Sequence, residues 1–124
     1  MTRGPVLRLL CLFAAGAVLG ASWLLGTGLI GPAASFGLVP LLAGQRKSFG
    51  RLLAAIGYYA TGSVPIVAAV GGYWGADHRA LGVGAWLGAS FLLAAPWAAA
   101  STRGRALGAL AATALPPLGV IGWL

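Results

Sequence analysis

Charged side chains in this sequence fall in short clusters, and long uncharged stretches run between them. The clusters delimit five apolar candidates: Val6–Leu25, Gly28–Ala43, Leu52–Gly75, Ala80–Ala100 and Ala106–Leu124. A hydrocarbon core about 30 Å thick takes roughly 20 helical residues at 1.5 Å rise each, so only the second candidate is short. Its Pro32 and Pro40 predict a bent segment and do not exclude one, because neighbouring helices in a bilayer can satisfy the carbonyls that proline frees. Gly62-Ser63-Val64-Pro65 predicts a break midway along the third candidate, with the hydroxyls of Thr61 and Ser63 placed to bond a freed carbonyl. Pro116-Pro117 predicts an irregular passage through the fifth.

Composition sharpens this pattern. The chain has no Glu, one Asp (Asp77), one Lys (Lys47), one His (His78) and one Cys (Cys11) among its 124 residues. Charged residues make up 7%, against roughly 25% in chains that fold in water. Apolar residues make up 60% and mean hydropathy is +0.93. The expected fold is therefore all-α and embedded in a membrane, a single domain over residues 1–124 built as a bundle of about five transmembrane helices. Nothing repeats with the period of a solenoid.

The positions of the cations orient the bundle. Positive residues collect on the cytoplasmic side of short loops. Five spans with the N-terminus inside place Arg3, Arg8, Arg46, Lys47, Arg51, Arg103 and Arg105 at or near that side, leaving only Arg79 outside. If Gly28–Ala43 did not cross, Arg3 and Arg8 would face away from Arg46, Lys47 and Arg51. The expectation is N-in and C-out in a bacterial inner membrane. The net charge of +7 fits an anionic inner leaflet better than direct nucleic-acid binding, because the charges are spread along the chain. Trp23, Tyr73, Trp74, Trp86 and Trp123 fall near the expected outer boundary, and Tyr58, Tyr59 and Trp97 toward the inner one, as an aromatic belt would place them. A signal peptide ending near Ala21 would put Leu19 where a small residue is wanted, so the first segment is expected to be retained as a helix. Gly16/Gly20, Gly71/Gly75, Gly84/Gly88 and Gly104/Gly108 share the four-residue spacing that lets helices approach closely; general packing is favoured over a dedicated dimer face.

Little chemistry is on offer. Asp77-His78-Arg79 mixes acid, imidazole and guanidinium, but no second His or carboxylate exists to complete a metal shell, and the cluster lies in a turn. Cys11 sits between Leu10 and Leu12 with no base or cation beside it to make a thiolate. A lone cysteine forms no intramolecular disulfide. None of the five stretches carries an acid in its interior, which weighs against a proton- or cation-coupled transporter. No catalytic, cofactor-binding or metal-binding residue is assigned, no cofactor is expected, and the chain is not expected to be an enzyme.

Gly57-Tyr58-Tyr59-Ala60, Pro65, Gly72-Tyr73-Trp74-Gly75 and Leu115-Pro116-Pro117-Leu118-Gly119-Val120-Ile121-Gly122-Trp123 resemble the membrane region of plasmid conjugal-transfer proteins of the TraB type. That family is related to apolipoprotein N-acyltransferases, in which membrane helices precede a periplasmic nitrilase-like hydrolase domain. The resemblance covers roughly Leu42 onward, and the double-proline, Gly-Trp ending is its most specific part. The family's hydrolase uses a Glu, a Lys and a Cys. This sequence has no Glu, Cys11 lies in the first helix and Lys47 in a loop, so no catalytic position carries over. The resemblance implies a non-catalytic inner-membrane scaffold or anchor module, either truncated or free-standing, with the lipid bilayer and other conjugal-transfer or membrane proteins as partners. The competing expectation is a small multi-pass transporter or channel subunit with the Pro65 break lining its path.

Overall fold

The computed structural model describes residues 3–25 and 28–115. Its α-helices are α1 (Arg3–Ala21), α2 (Ile30–Ala43), α3 (Ser48–Gly62), α4 (Pro65–Trp74), α5 (Arg79–Ala98) and α6 (Arg103–Ala114). Single 3-10 turns occupy Ser22–Leu25 and Ala76–His78, and no strand occurs among the described residues. Pro116, Pro117 and Trp123 lie outside them.

Local chemistry accounts for most boundaries. The expected break in the third stretch is present: α3 and α4 meet at 45°, and Pro65 stands at the start of α4, where its missing N–H has no helical partner to lose. Pro32 is likewise harmless in the first turn of α2, so only Pro40 lies inside that helix. Gly75 ends α4 with φ +99°, a backbone that side chains with a Cβ adopt rarely. Thr102 caps α6 by accepting from the Arg105 N–H at 3.3 Å.

The chain direction follows from which residues meet. Leu12 lies against Gly50, Gly16 against Ala54 and Gly20 against Tyr58, so α1 and α3 run parallel. Trp23 covers Gly31 and Leu19 covers Gly37, so α2 returns antiparallel to α1. Arg51 meets Ala98, Ser63 meets Ser90 and Val67 meets Gly82, so α5 runs back along α3 and α4. The α1–α3 contact is made backbone to backbone. A Cβ added at Gly16 would collide with the Ala54 carbonyl oxygen, one at Gly20 with that of Tyr58, and one at Gly57 with that of Phe13. These are the geometries of Cα–H···O=C contacts between closely packed helices. Of the four glycine pairs picked out by spacing, Gly16/Gly20 alone is used this way; Gly71, Gly84, Gly88, Gly104 and Gly108 face open space.

Leu38, Leu42, Ala54, Ala55, Leu93, Ala94 and Trp97 are buried at the centre. The outward faces are also apolar: Leu29 is 82% exposed, Phe36 79% and Val18 72%. A helix apolar all round suits lipid better than water. By length and composition, Gly4–Leu25 and Ala76–Ala98 are able to cross a membrane, and α3 with α4 makes a third crossing if the bent pair is one span. The second stretch yields a helix of 14 residues, about 21 Å long at 1.5 Å per residue.

The glycine contact yields a direct test. Gly16→Ala and Gly57→Ala each force a methyl group into a backbone carbonyl and are expected to cost about 1–3 kcal/mol. Gly84→Ala meets nothing and should be neutral or gain about 1 kcal/mol in helix propensity. Thermal unfolding in detergent, followed by helical circular dichroism, reads the difference; equal behaviour of the three variants would contradict the packing described.

Candidate functional site

Among the described residues, Arg51 is the most heavily bonded side chain. It sits in the first turn of α3 and is only 4% exposed. Its Nε and Nη2 donate to the Ala98 carbonyl at 3.2 and 2.8 Å, closing the C-terminal end of α5. Nη1 donates to the carbonyls of Gln45 at 2.8 Å and Arg46 at 3.4 Å, and Nη2 also reaches Ser48 Oγ at 3.1 Å. The guanidinium thus binds the loop leaving α2 to the end of α5. No carboxylate takes part: the partners are carbonyls, and a helix C-terminus carries partial negative charge. Arg8 from α1 joins the same region, donating to Gln45 Oε1 at 3.1 Å.

Two adjacent tyrosines tie α3 to both sides of the bundle. Tyr58 Oη accepts from Trp23 Nε1 at 2.7 Å and lies 2.6 Å from Ser35 Oγ, joining α3 to the end of α1 and to α2. Tyr59 Oη accepts from Trp97 Nε1 at 2.9 Å, joining α3 to α5. The two rings meet edge to face, with centroids 5.1 Å apart. Tyr58 and Trp97 are therefore interior, where the sequence suggested an aromatic belt; a buried phenol or indole needs a partner, and these partners are inside the bundle. Tyr73 and Trp74 do remain exposed, at the end of α4.

The break between α3 and α4 is closed by side chains. Val64 N–H bonds Thr61 O at 3.4 Å, tightening the turn and leaving the Ala60 carbonyl without its usual helical donor. Trp86 Nε1 from α5 fills that place at 2.7 Å. Ser63 Oγ donates to the Tyr59 carbonyl and lies 3.3 Å from Ser90 Oγ, which in turn donates to Trp86 O at 2.7 Å. The hydroxyls do not take the part the sequence suggested: Ser63 Oγ bonds the Tyr59 carbonyl, which still accepts from the Ser63 N–H at 2.9 Å, Thr61 contributes its backbone carbonyl to the turn, and the freed carbonyl goes to Trp86.

Beside this break, α4 and α5 enclose a groove of about 610 Å³, lined by Ile66, Val70, Tyr73, Trp74, Gly88 and Leu92 among others. Its lining carries no carboxylate, imidazole, amine or thiol; the Tyr73 phenol and the Trp74 indole are its polar side-chain groups. Asp77 and His78 lie in the exposed turn before α5, and no group of three metal-ligating side chains occurs among the described residues. Cys11 is exposed on α1, and Lys47 is exposed just before α3. The arrangement holds helices together, and its apolar groove can accommodate aliphatic matter.

The sequence reading weighed Arg51 as one cation among seven at its face. Its helical phase held more: positions 51, 54, 55 and 58 share one face of α3, and that face is buried. Trp86 carried no such signal, because its acceptor exists only where the chain breaks. The chain matches no family model, no curated protein and no solved structure.

Removing the Arg51 side chain strips donors from two half-buried carbonyl sites, at Ala98 and at Gln45, at about 1–3 kcal/mol each. Arg51→Ala is expected to lose about 3 kcal/mol of stability, and Arg51→Lys to recover less than half, since an ammonium cannot reproduce the planar fork. Unfolding midpoints in detergent would show it; a full rescue by lysine would mean that charge alone matters.

Proposed function

We propose that this chain is a non-catalytic membrane scaffold module: a five-pass inner-membrane bundle, N-terminus inside and C-terminus outside, that anchors a partner protein. The observation that carries the scaffold reading is how completely the polar groups are used. Among the described residues, no buried side-chain nitrogen or oxygen lacks a hydrogen-bond partner. Sites that bind or transform polar substrates keep convergent polar groups available for them; here Arg51, Tyr58, Tyr59, Trp86 and Ser90 spend theirs on neighbouring helices. The setting in conjugal transfer rests on the resemblance of residues 57–60, 65, 72–75 and 115–123 to the TraB-type membrane region.

The alternation of helix direction supports the five-pass count. Because α1 and α3 are parallel, α2 must carry the chain back between them, and it brings Arg46, Lys47 and Arg51 to the end where Arg8 lies. At about 21 Å, α2 is shorter than a hydrocarbon core of about 30 Å; local thinning of the bilayer and flanking charged residues accommodate such a mismatch at modest cost. Reporter fusions test this directly. A reporter after Arg46 is expected in the cytoplasm and one after Leu124 in the periplasm. A cytoplasmic C-terminal reporter would remove the five-pass topology and make α2 a re-entrant or interfacial segment.

The competing transporter reading needs the α3–α4 break to offer carbonyls to a solute. The Trp86 indole on Ala60 O and the Ser63 hydroxyl on Tyr59 O weigh against it. Pro65→Ala is expected to straighten the pair and change stability by on the order of 1 kcal/mol, about one net hydrogen bond, with no solute flux in proteoliposomes before or after. Saturable flux in the parent protein, abolished by Pro65→Ala while the protein stays inserted, would replace the scaffold reading with transport.

A further inference from the structure

One end of the bundle gathers nearly all the charge. Arg51 fastens the loop leaving α2 to the end of α5, through Gln45 and Arg46 on one side and Ala98 on the other. This places Arg46 and Lys47, just before α3, at the same end as Arg103 and Arg105, just after α5. Arg8 reaches that end through Gln45. All five of these side chains are exposed. The one side-chain carboxylate, Asp77, lies at the opposite end of the α3–α4 pair, so it offsets none of them.

The fold adds to this imbalance. The negative ends of α2 and α5 both lie here and Arg51 donates to the carbonyls that follow them, at Gln45, Arg46 and Ala98, while α1, α3 and α6 begin here, presenting the positive ends of their dipoles. Phe49, 58% exposed in the first turn of α3, sets an apolar ring beside the cations. A positive, acid-free rim with an exposed aromatic, at the end of an apolar bundle, matches the phosphate-bearing boundary of an anionic bilayer.

We propose that this rim, formed by Arg46, Lys47, Arg103 and Arg105 with Arg8 beside them, is a docking surface for anionic phospholipid headgroups, and that Arg51 is its internal fastening and not a lipid ligand. The proposal rests on the membrane reading above and adds the partner chemistry to it.

The test uses the full chain purified in a neutral detergent. Dioleoyl phosphatidylglycerol and dioleoyl phosphatidylcholine are titrated separately, and bound lipid is counted by native mass spectrometry. The parent protein is expected to hold phosphatidylglycerol at least about tenfold more tightly, each cation near the surface contributing roughly fivefold. The combined variant Arg46→Gln/Lys47→Gln/Arg103→Gln/Arg105→Gln should lose that preference, and either pair of substitutions alone should lose a large part of it, which keeps the test informative if the fourfold variant folds poorly. Arg79→Gln, at the other end, should keep it. Equal retention of the two lipids by folded parent protein would overturn the proposal and leave the membrane reading standing. So would a preference unchanged in both pair variants, displacement of the lipid by millimolar inorganic phosphate, or tighter binding of a single-stranded DNA oligonucleotide at the same rim. A parent protein that stays dispersed without detergent would overturn both.

Discussion

Where Ala54 and Tyr58 present their carbonyl oxygens to Gly16 and Gly20, α1 and α3 touch backbone to backbone, and the remaining topology follows from that contact. In lipid, apolar side chains gain little by leaving one apolar environment for another, so helix association depends on close packing and on bonds between helices. Glycine removes the Cβ that would hold the axes apart. Because the two helices lie parallel, the chain has to return between them, and α2 makes that return. Tyr58 then binds the three together: its hydroxyl meets Trp23 beyond α1 and Ser35 on α2 within one turn of the Gly20 contact. A wider separation of α1 and α3 would break both the packing and the phenol's hydrogen bonds.

The second constraint is the burial of a cation in a chain almost without acids. Taking a guanidinium out of water costs several kcal/mol unless its donors are met. Arg51 meets the requirement with backbone carbonyls, which the end of α5 and the loop after α2 would otherwise leave exposed or unsatisfied. The arrangement serves both sides: the helix end gains donors, and the cation gains partial negative charge without a carboxylate. It also explains why α5 stops where it does relative to α3. Ala98 is the last residue of α5 and is the acceptor shared by Nε and Nη2.

Much of the architecture was legible in the sequence because it is written in one-residue properties. Proline lacks an N–H, so Pro65 directly after Gly62 and Ser63 announces a break, and the bend is there at 45°, whereas Pro40 and Pro96 stay inside α2 and α5. The all-helical character follows from uncharged runs of membrane length, although only two or three of the helices meet that length by themselves. The pairings were not legible. Four glycine pairs have identical spacing, and choosing Gly16/Gly20 requires knowing which helix comes alongside. Tyr58, Trp86 and Trp97 looked interfacial because an aromatic with a polar tip suits a boundary as well as a core. The deciding acceptors are Tyr59 Oη and the carbonyl of Ala60, and neither has a sequence signature. Arg51 differs from its neighbours by phase alone.

The break between α3 and α4 shows why an interrupted helix and a binding site are different things. Interrupted helices serve as ion sites when freed carbonyls converge on a cavity and nothing else claims them. Here the carbonyl without its normal donor, Ala60 O, has an indole N–H at 2.7 Å, a neutral donor held by the packing of α5. A cation approaching Ala60 O would have to displace that bond and leave a half-buried indole unpaired, losing on both counts. The adjoining groove continues the same logic: its lining is aliphatic and aromatic, with the Tyr73 phenol as its one side-chain oxygen, so a hydrated ion entering it would shed water with too few ligands to replace it. The bend therefore changes the course of a helix and opens an apolar recess beside it, while its hydrogen bonds are closed within the protein.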